Sequence, residues 1–313
     1  MKRNTLLLTV IFLFLSFLCA QYAFAGAWTL PKYKVWGEWY QKFEYAKEEY
    51  NATWKRQQMT REPAGNNGRN WGFTMEPKLE FGITDWWTFM TSLQYKEYHY
   101  KEYGRPAAWG PYSRKNHGLT YVMVGSRIRL IDKPVIVSVQ AREFMYVGGY
   151  GIDHRDDPFF NQNQPGVGWG NDSFDLRGIV SKKWDVKMPI DMPWYQGEYK
   201  LPMYASAESG YVFNNRHVCN AWVYFTEYGI WPVPWLLLKT ELDGIKTHDG
   251  TGSVNEQAYG IWRIGARWHI FEGDAYLRQG TKAFDIEFQY GMYLWGKNCA
   301  AYNEFVLKVD TQF

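Results

Sequence analysis

Histidine and aspartate stand side by side at two places in the sequence, and such pairs can supply the acid–base groups of a hydrolase. One place is the run 153–157 (DHRDD), which contains His154, and the other is His248-Asp249. Glycine, asparagine and serine surround both places, which is typical of turns in exposed loops. The sequence therefore favours surface charge over catalysis at both, and it predicts that the protein is not an enzyme.

Cofactor and nucleic-acid chemistry has no recognisable motif either. The run 153–157 offers oxygen ligands for a divalent cation, but it lacks the spacing of a calcium-binding loop. The sequence contains no Cys-x-x-Cys-His haem attachment site and no glycine-rich phosphate-binding motif. Its formal net charge is only +3, which gives too weak a field to attract nucleic acid. We expect no metal, no cofactor and no nucleic-acid partner.

The first 25 residues have the features of a targeting segment. Lys2 and Arg3 precede an apolar run at positions 6–18, and Ala23-Phe24-Ala25 supplies a small-x-small cleavage pattern. An uncleaved anchor is the alternative, but the run is well short of the about 20 residues that a spanning helix needs. The sequence predicts a cleaved signal peptide at residues 1–25 and one mature domain at residues 26–313.

The end of the chain, residues 302–313, alternates with a period of two, as an extended strand with two different faces does. One face is apolar and the other is charged: Phe305, Leu307 and Val309 against Glu304, Lys308 and Asp310. The strand ends at Phe313, an aromatic terminus. Alternation together with this terminus favours the closing strand of a membrane barrel, and Phe313 is then an address for the assembly machinery.

The composition supports a membrane barrel. Aromatic residues make up 19% of the sequence, with 17 Trp and 24 Tyr. In a transmembrane barrel such residues form girdles at both interfaces, and lipid-facing apolar residues occur only at every second position. A soluble, exported all-β domain with aromatic binding loops is the alternative.

Runs of alternating apolar and polar residues recur along the mature chain. Each is about 9–13 residues long, which is the length of a tilted membrane crossing. They predict an all-β fold: a closed antiparallel transmembrane barrel of about twelve strands. An even number places both termini on the periplasmic side and turns the polar loops near residues 46, 99, 148 and 246 outward. The predicted strands are 35–45, 71–82, 86–98, 119–131, 134–147, 172–184, 201–213, 220–228, 235–245, 258–270, 283–295 and 302–313.

The polar face of each strand then points into the lumen, with both charge signs present in similar numbers. The arginines could form a basic ladder along one wall, or they could pair with Glu76, Glu80 and Asp175, which we favour because unpaired buried charge is costly. The predicted pore-lining residues are Glu76, Lys78, Glu80, Arg127, Arg129, Arg142, Asp175, Arg177, Lys239, Glu241, Arg263, Arg267, Asp285 and Glu287.

Two cysteines remain after removal of the leader, Cys219 and Cys299. Both fall at outward ends of predicted strands, where an oxidising compartment would permit a disulfide. A bond and two free thiols are both compatible with the sequence. A Cα separation above about 7 Å would exclude the bond.

Three short stretches carry a family resemblance. They are residues 80–85 (EFGITD) with Trp87-Thr88-Phe89, the mature start at residues 26–32 (GAWTLPK), and the hairpin from Val124 to Gln140 around Asp132-Lys133-Pro134. In these stretches the sequence resembles outer-membrane proteins grouped with the MetA-type phenol-degradation proteins. The resemblance implies a barrel in the outer membrane of a Gram-negative-type bacterium that acts as a channel for small, including aromatic, compounds.

The sequence thus predicts a porin-like outer-membrane channel with a narrow lumen of mixed charge. Its expected partners are outer-membrane lipid, a small-molecule solute and the assembly machinery. The alternative function is a barrel that transports nothing, such as a sheath around a separate electron-transfer partner or a surface anchor whose loops bind ligands.

Overall fold

A computed structural model describes residues 27–59, 66–103, 112–147, 171–188, 199–215, 219–233, 235–248, 256–272 and 283–312. Within these ranges the chain forms a closed barrel of twelve strands and a separate three-stranded sheet. No helix among these residues is long and apolar enough to cross a membrane. The predicted signal peptide and the run 153–157 lie outside the described residues.

The barrel strands follow one another around the barrel in chain order, each antiparallel to its neighbours. β2, β3 and β14 form the separate sheet. The strands are β1 Val35–Ala46, β2 Glu48–Tyr50, β3 Arg56–Gln58, β4 Asn66–Thr84, β5 Trp87–Tyr103, β6 Tyr112–Ile131, β7 Ile136–Tyr146, β8 Ser173–Met188, β9 Tyr199–Asn214, β10 Asn220–Val233, β11 Leu236–His248, β12 Ala258–Glu272, β13 Ala283–Lys297, β14 Cys299–Ala300 and β15 Asn303–Gln312.

The first and last barrel strands close the sheet, which confirms the fold predicted from the sequence. β1 pairs with β15 in one unbroken register from Trp36↔Gln312 to Tyr45↔Asn303, and its other edge pairs with β4. Each barrel strand therefore has two hydrogen-bonded neighbours and no edge is left open. Because the number of strands is even, the barrel begins and finishes at one end, here called the terminal end. The opposite end is the loop end.

The period of two decides which side chains enter the barrel. On β15, Phe305 is 63% exposed, whereas Glu304 and Asp310 are buried, as is the one apolar exception, Val306. The same division holds around the barrel: every barrel strand exposes at least one large apolar or aromatic side chain, and the buried side chains are more often polar than apolar. An apolar outside around a polar inside is the arrangement of a barrel that faces lipid.

The loop end has more β-structure than the sequence predicts. Residues 46–70 have the composition of a polar loop, yet they contain β2 and β3, which pair with each other, and β2 also pairs with β14. β6 also begins at Tyr112 rather than at the predicted residue 119. These parts are polar on both faces, so the apolar alternation that marks a lipid-facing strand is missing from them.

A glycine lets one lumenal tyrosine lie flat against the wall. Gly229 on β10 is paired with Tyr204 on β9, and a β-carbon at Gly229 would lie 2.1 Å from Cε1 of that ring. Tyr204 is 1% exposed and its hydroxyl donates a hydrogen bond to Glu227, so the ring has no room to move.

We predict that Gly229→Ala lowers the free energy of unfolding by about 1–3 kcal/mol, the usual cost of overpacking. Urea titration of the detergent-solubilised barrel, followed by heat-modifiable gel mobility, measures it. Gly178→Ala is the matched control, because a β-carbon there meets no atom within 4 Å. Equal stability of the two variants would contradict the packing argument.

Candidate functional site in the barrel lumen

Charged side chains on the inner face of β10 to β15 form one connected network. At its centre, Lys239 Nζ lies 2.9 Å from Glu227 Oε2, 2.7 Å from Glu241 Oε1 and 2.9 Å from Glu287 Oε1. Lys308 Nζ lies 3.0 Å from the same Glu287 oxygen. Glu287 is fully buried, and a charge in that position is tolerated only when it is paired.

Two arginines extend the network to the neighbouring strands. Arg267 on β12 contacts Glu287 at 2.7 Å and Asp310 at 3.5 Å. Arg263, further along the same face of β12, pairs with Glu304 and lies 3.2 Å from Asp243. Each guanidinium thus connects carboxylates on different strands, and the network braces this half of the barrel.

The opposite wall, formed by β4 to β9, carries fewer ion pairs. Arg127 lies 3.3 Å from Glu80. Asp175 pairs with both Arg142 and Arg177, the latter at 2.9 Å. Arg127, Arg142 and Arg177 are therefore paired with carboxylates and do not form an unopposed basic ladder.

Glu76 differs from the sequence hypothesis, which pairs it with an arginine. Its carboxylate accepts hydrogen bonds from Ser92 Oγ at 2.9 Å, Gln94 Nε2 at 3.0 Å and the Tyr121 hydroxyl at 3.2 Å. These neutral donors, on β5 and β6, point into the lumen at the level of Glu76 along the barrel axis and satisfy its carboxylate.

The residues predicted to line the pore fall into three groups, and their role in solute passage remains a prediction. Arg129 lies at the terminal end, where its backbone N–H donates to the Trp86 carbonyl. A second group is held in ion pairs of the wall: Arg142, Asp175, Arg177, Asp285 and Glu287. The third group borders a lumenal cavity of about 380 Å³: Glu76, Lys78, Glu80, Arg127, Lys239, Glu241, Arg263 and Arg267.

Residues 27–31, here called the lumenal segment, lie inside the barrel at the terminal end, which the sequence did not indicate. The amide of Ala27 donates to Ser181 Oγ on β8 at 2.8 Å, and the amide of Leu30 donates to Thr88 Oγ1 on β5 at 2.8 Å. Between them, the Trp28 carbonyl accepts from Arg127 Nη1 at 3.0 Å. The segment thus runs along the inner wall from β8 to β4.

The side chain of Trp28 extends from the lumenal segment toward β9 and β10. Its ring meets Tyr204 edge-on with centroids 6.3 Å apart, and it packs against the cluster of Tyr204, Trp231 and Leu237. The ammonium group of Lys183 lies 5.5 Å from the Trp28 ring centroid. Trp28 therefore bridges to β9 and β10 and narrows the terminal end of the lumen.

Tyrosines narrow the lumen toward the loop end. Tyr98 donates to Glu44 Oε2 at 2.6 Å and packs against Tyr302 with ring centroids 6.5 Å apart. Tyr293 meets Tyr302 edge-on at 5.6 Å and Tyr259 at 5.2 Å. The cavity thus lies between a tyrosine layer and the lumenal segment.

The possible disulfide between Cys219 and Cys299 is absent, because both cysteines are free. Cys219 precedes β10, whereas the Cys299 sulfur lies 3.5 Å from the carbonyl of Ala258, the first residue of β12. With strands about 4.8 Å apart, the positions at β10 and beyond β12 are too distant for the about 7 Å that a disulfide permits.

Burial raises the pKa of the Cys299 thiol to about 12. Since the thiolate is the reactive form, we predict that Cys299 reacts with maleimide at pH 7.5 at least about 30-fold more slowly in the folded barrel than in urea. The raised pKa lowers the thiolate fraction about a thousandfold, and the greater nucleophilicity of a more basic thiolate offsets about half of this effect on a logarithmic scale. Mass spectrometry of a Cys219→Ser protein measures the rate. Equal rates in both states would contradict the assigned burial.

Of the two histidine–aspartate pairs in the sequence, only His248 lies within the described residues. His248 packs against Tyr211, with ring centroids 5.2 Å apart, while Asp249 and His154 lie outside the described residues. Within the described ranges, no group of three or more His, Cys, Asp or Glu side chains is placed to hold a metal ion.

Comparisons with known proteins identify the fold. No protein-family model matches the sequence, and no curated protein matches it significantly. The structure is similar to an outer membrane channel from Pseudomonas putida F1, with a TM-score of 0.62 and 12% identity over 94% of this chain and 100% of that chain. The chain has the fold of an outer-membrane β-barrel.

Two further solved barrels are more distant. The translocator domain of the autotransporter NalP from Neisseria meningitidis has a TM-score of 0.37 and 8% identity, over 100% of this chain and 96% of that one. A FadL homologue from Pseudomonas aeruginosa has a TM-score of 0.35 and 7% identity, over 90% of each chain.

Proposed function

We propose that the protein is an outer-membrane channel through which small solutes, aromatic or other organic compounds, pass passively. The observation that carries the proposal is the cavity of about 380 Å³, bordered by charged side chains, inside a closed barrel with an apolar outer surface. A barrel of this strand number has a narrow lumen, and the ion pairs narrow it further. The Pseudomonas putida protein of similar fold is an outer membrane channel, which supports the same role.

The outer face of β5 supports the membrane location. Exposed Phe89 and Leu93 are followed on the same face by Glu97, whose carboxylate lies 2.7 Å from the Lys115 ammonium. Charged residues thus occur on the outer face just beyond the apolar residues, as expected at the edge of a lipid-facing band about 25 Å tall. The cleaved signal peptide at residues 1–25 and recognition of Phe313 by the assembly machinery belong to the same proposal.

A sheath around a separate protein has less support. A cavity of about 380 Å³ is comparable to a small-molecule site, and the ion pairs that surround it would have to be broken to admit a folded partner. The resemblance to MetA-type proteins points to small aromatic solutes instead. A role without catalysis is part of the proposal.

Single-channel recording of the purified protein in planar bilayers, together with liposome swelling in small sugars and organic acids, tests the proposal. We expect small, discrete conductance steps and swelling that falls steeply with solute size. A correctly folded barrel that produces neither conductance nor swelling would overturn the channel function.

A further inference from the structure

Lys96 on β5 differs from every other basic residue that borders the lumenal cavity. Each of the others has a carboxylate oxygen within 3.3 Å; Lys42 and Arg267 are examples, at 2.6 Å and 2.7 Å. Among the described residues, Lys96 has neither an ion pair nor a hydrogen bond, although it borders the same cavity. Its ammonium group is the one cation there that no carboxylate of the described chain neutralises by contact.

Thr74 supplies a second unused donor beside Lys96. The two residues are direct partners in the β4–β5 register, which places their β-carbons about 5 Å apart on the lumenal face. Thr74 is 1% exposed, borders the cavity, and its Oγ1 has no hydrogen-bond partner within the described ranges. A buried hydroxyl of this kind normally has a partner, and Thr74 Oγ1 is therefore free to donate to a ligand in the cavity.

The carboxylates nearest to this pair are already engaged. Glu44 accepts from Lys42 at 2.6 Å and from Tyr98 at 2.6 Å. Glu76 accepts from three neutral donors, among them Gln94 at 3.0 Å. Neither has to turn toward Lys96 to satisfy its oxygens, so the ammonium and the Thr74 hydroxyl remain available to an incoming acceptor.

We propose that Lys96 and Thr74 form a binding subsite for the carboxylate of a small organic monoanion, an inference that rests on the channel function proposed above. An ammonium group and a hydroxyl can each donate to one carboxylate oxygen. One unpaired cation matches one negative charge. The cavity also exposes large apolar side chains, Trp28, Trp36 and Phe225 among them, and its volume exceeds that of several waters, so it accommodates an apolar body attached to the carboxylate.

Binding is measured first, on the folded wild-type protein in detergent, by tryptophan fluorescence during titration with benzoate. Benzyl alcohol serves as the neutral probe of the same shape and acetate as the charged probe without the ring. We expect benzoate to bind more tightly than either. Lys96→Met should weaken benzoate binding at least about tenfold, the loss of one charge-assisted hydrogen bond, and leave benzyl alcohol unaffected.

Two further variants keep the test decisive. Thr74→Val should also weaken benzoate binding, and Lys96→Arg should restore most of it. Lys182→Met, which removes an exposed lysine from β8, is the matched control and should bind as the wild type does. Equal affinity for benzoate and benzyl alcohol, or an unchanged affinity in both Lys96→Met and Thr74→Val, would overturn the subsite.

Conductance separates this inference from the channel proposal. A wild-type protein that conducts but shows no Lys96-dependent binding refutes the subsite alone. A protein that binds benzoate through Lys96 but carries no current refutes the channel and leaves a binding barrel.

Discussion

Replacing Glu287 by glutamine will lower the free energy of unfolding by about 3–5 kcal/mol, the cost of removing one partner from a buried ion pair. Glu287 is fully buried and lies within 3.0 Å of Lys239, Lys308 and Arg267. Glutamine keeps the shape but removes the charge, so three cations lose a shared counter-charge inside the barrel wall. Urea unfolding in detergent, followed by tryptophan fluorescence and heat-modifiable gel mobility, measures the loss.

Asp243→Asn is the matched control for Glu287→Gln. Asp243 also pairs with an arginine, Arg263, at 3.2 Å, but its side chain is 37% exposed. Water can replace the lost interaction, so we expect a loss below about 1 kcal/mol. A similar loss for both substitutions would show that the lumen is wet enough to screen Glu287, contrary to its burial.

Deleting residues 27–30 will raise the single-channel conductance at least about twofold, because an extended chain about 5 Å thick then leaves the narrow lumen of a twelve-stranded barrel. The Trp28 ring, which bridges to β9 and β10, leaves with it. Pro31 stays, since its carbonyl lies against Gly82 and accepts the amide of Lys34 at 3.0 Å. Recording in planar bilayers, with heat-modifiable mobility as a check on folding, gives the result.

A second variant tests whether the lumenal segment narrows the channel while it is held at its docked position on β8. In an Ala27→Cys, Ser181→Cys protein the segment can be tied to β8, since the Ala27 amide lies 2.8 Å from Ser181 Oγ. We expect wild-type conductance from the tied protein, before and after reduction. A deletion variant that conducts no better than the wild type would instead place the narrowest point elsewhere, with the tyrosine layer at the loop end as the remaining constriction.

The barrel could be predicted from the sequence because one physical rule governs each strand. A lipid-facing strand must alternate, and the alternation is plain in residues 71–82 and in residues 302–313, where buried Val306 is the one apolar exception. An even strand number then fixes the common end of the termini, and the pairing of β1 with β15 follows because a membrane barrel cannot leave an edge open.

The same rule explains why the site was only partly predictable. Alternation shows which face of the sheet a side chain is on. It does not show the position of that side chain along the barrel axis, and this position decides which charges are in contact. Lys239 reaches Glu287 two strands away, and Glu76 meets Gln94 rather than an arginine. Lys96 lies two residues after Gln94 on β5, so the alternation of the strand predicts that its side chain points into the lumen. Nothing in the sequence showed that it lacks an ion-pair partner among the described residues.

The lumenal segment left no signal at all. Its anchors are backbone amides and carbonyls that meet single serine, threonine and arginine side chains, and such contacts form no motif. The bond from Ala27 to Ser181 spans 154 positions of sequence. Only the finished curvature of the barrel brings these positions together.

That separation has a consequence for the order in which the molecule assembles. Ser181 belongs to β8, so the lumenal segment has no binding position on the wall until that strand has joined the growing sheet. Closing so long a loop also carries an entropic cost that local hairpins avoid. A nascent barrel with its early hairpins in place would still be unobstructed at the terminal end. We expect the amino-terminus to dock only after β8 has joined the sheet, and a time-resolved experiment would see permeability fall as that docking completes.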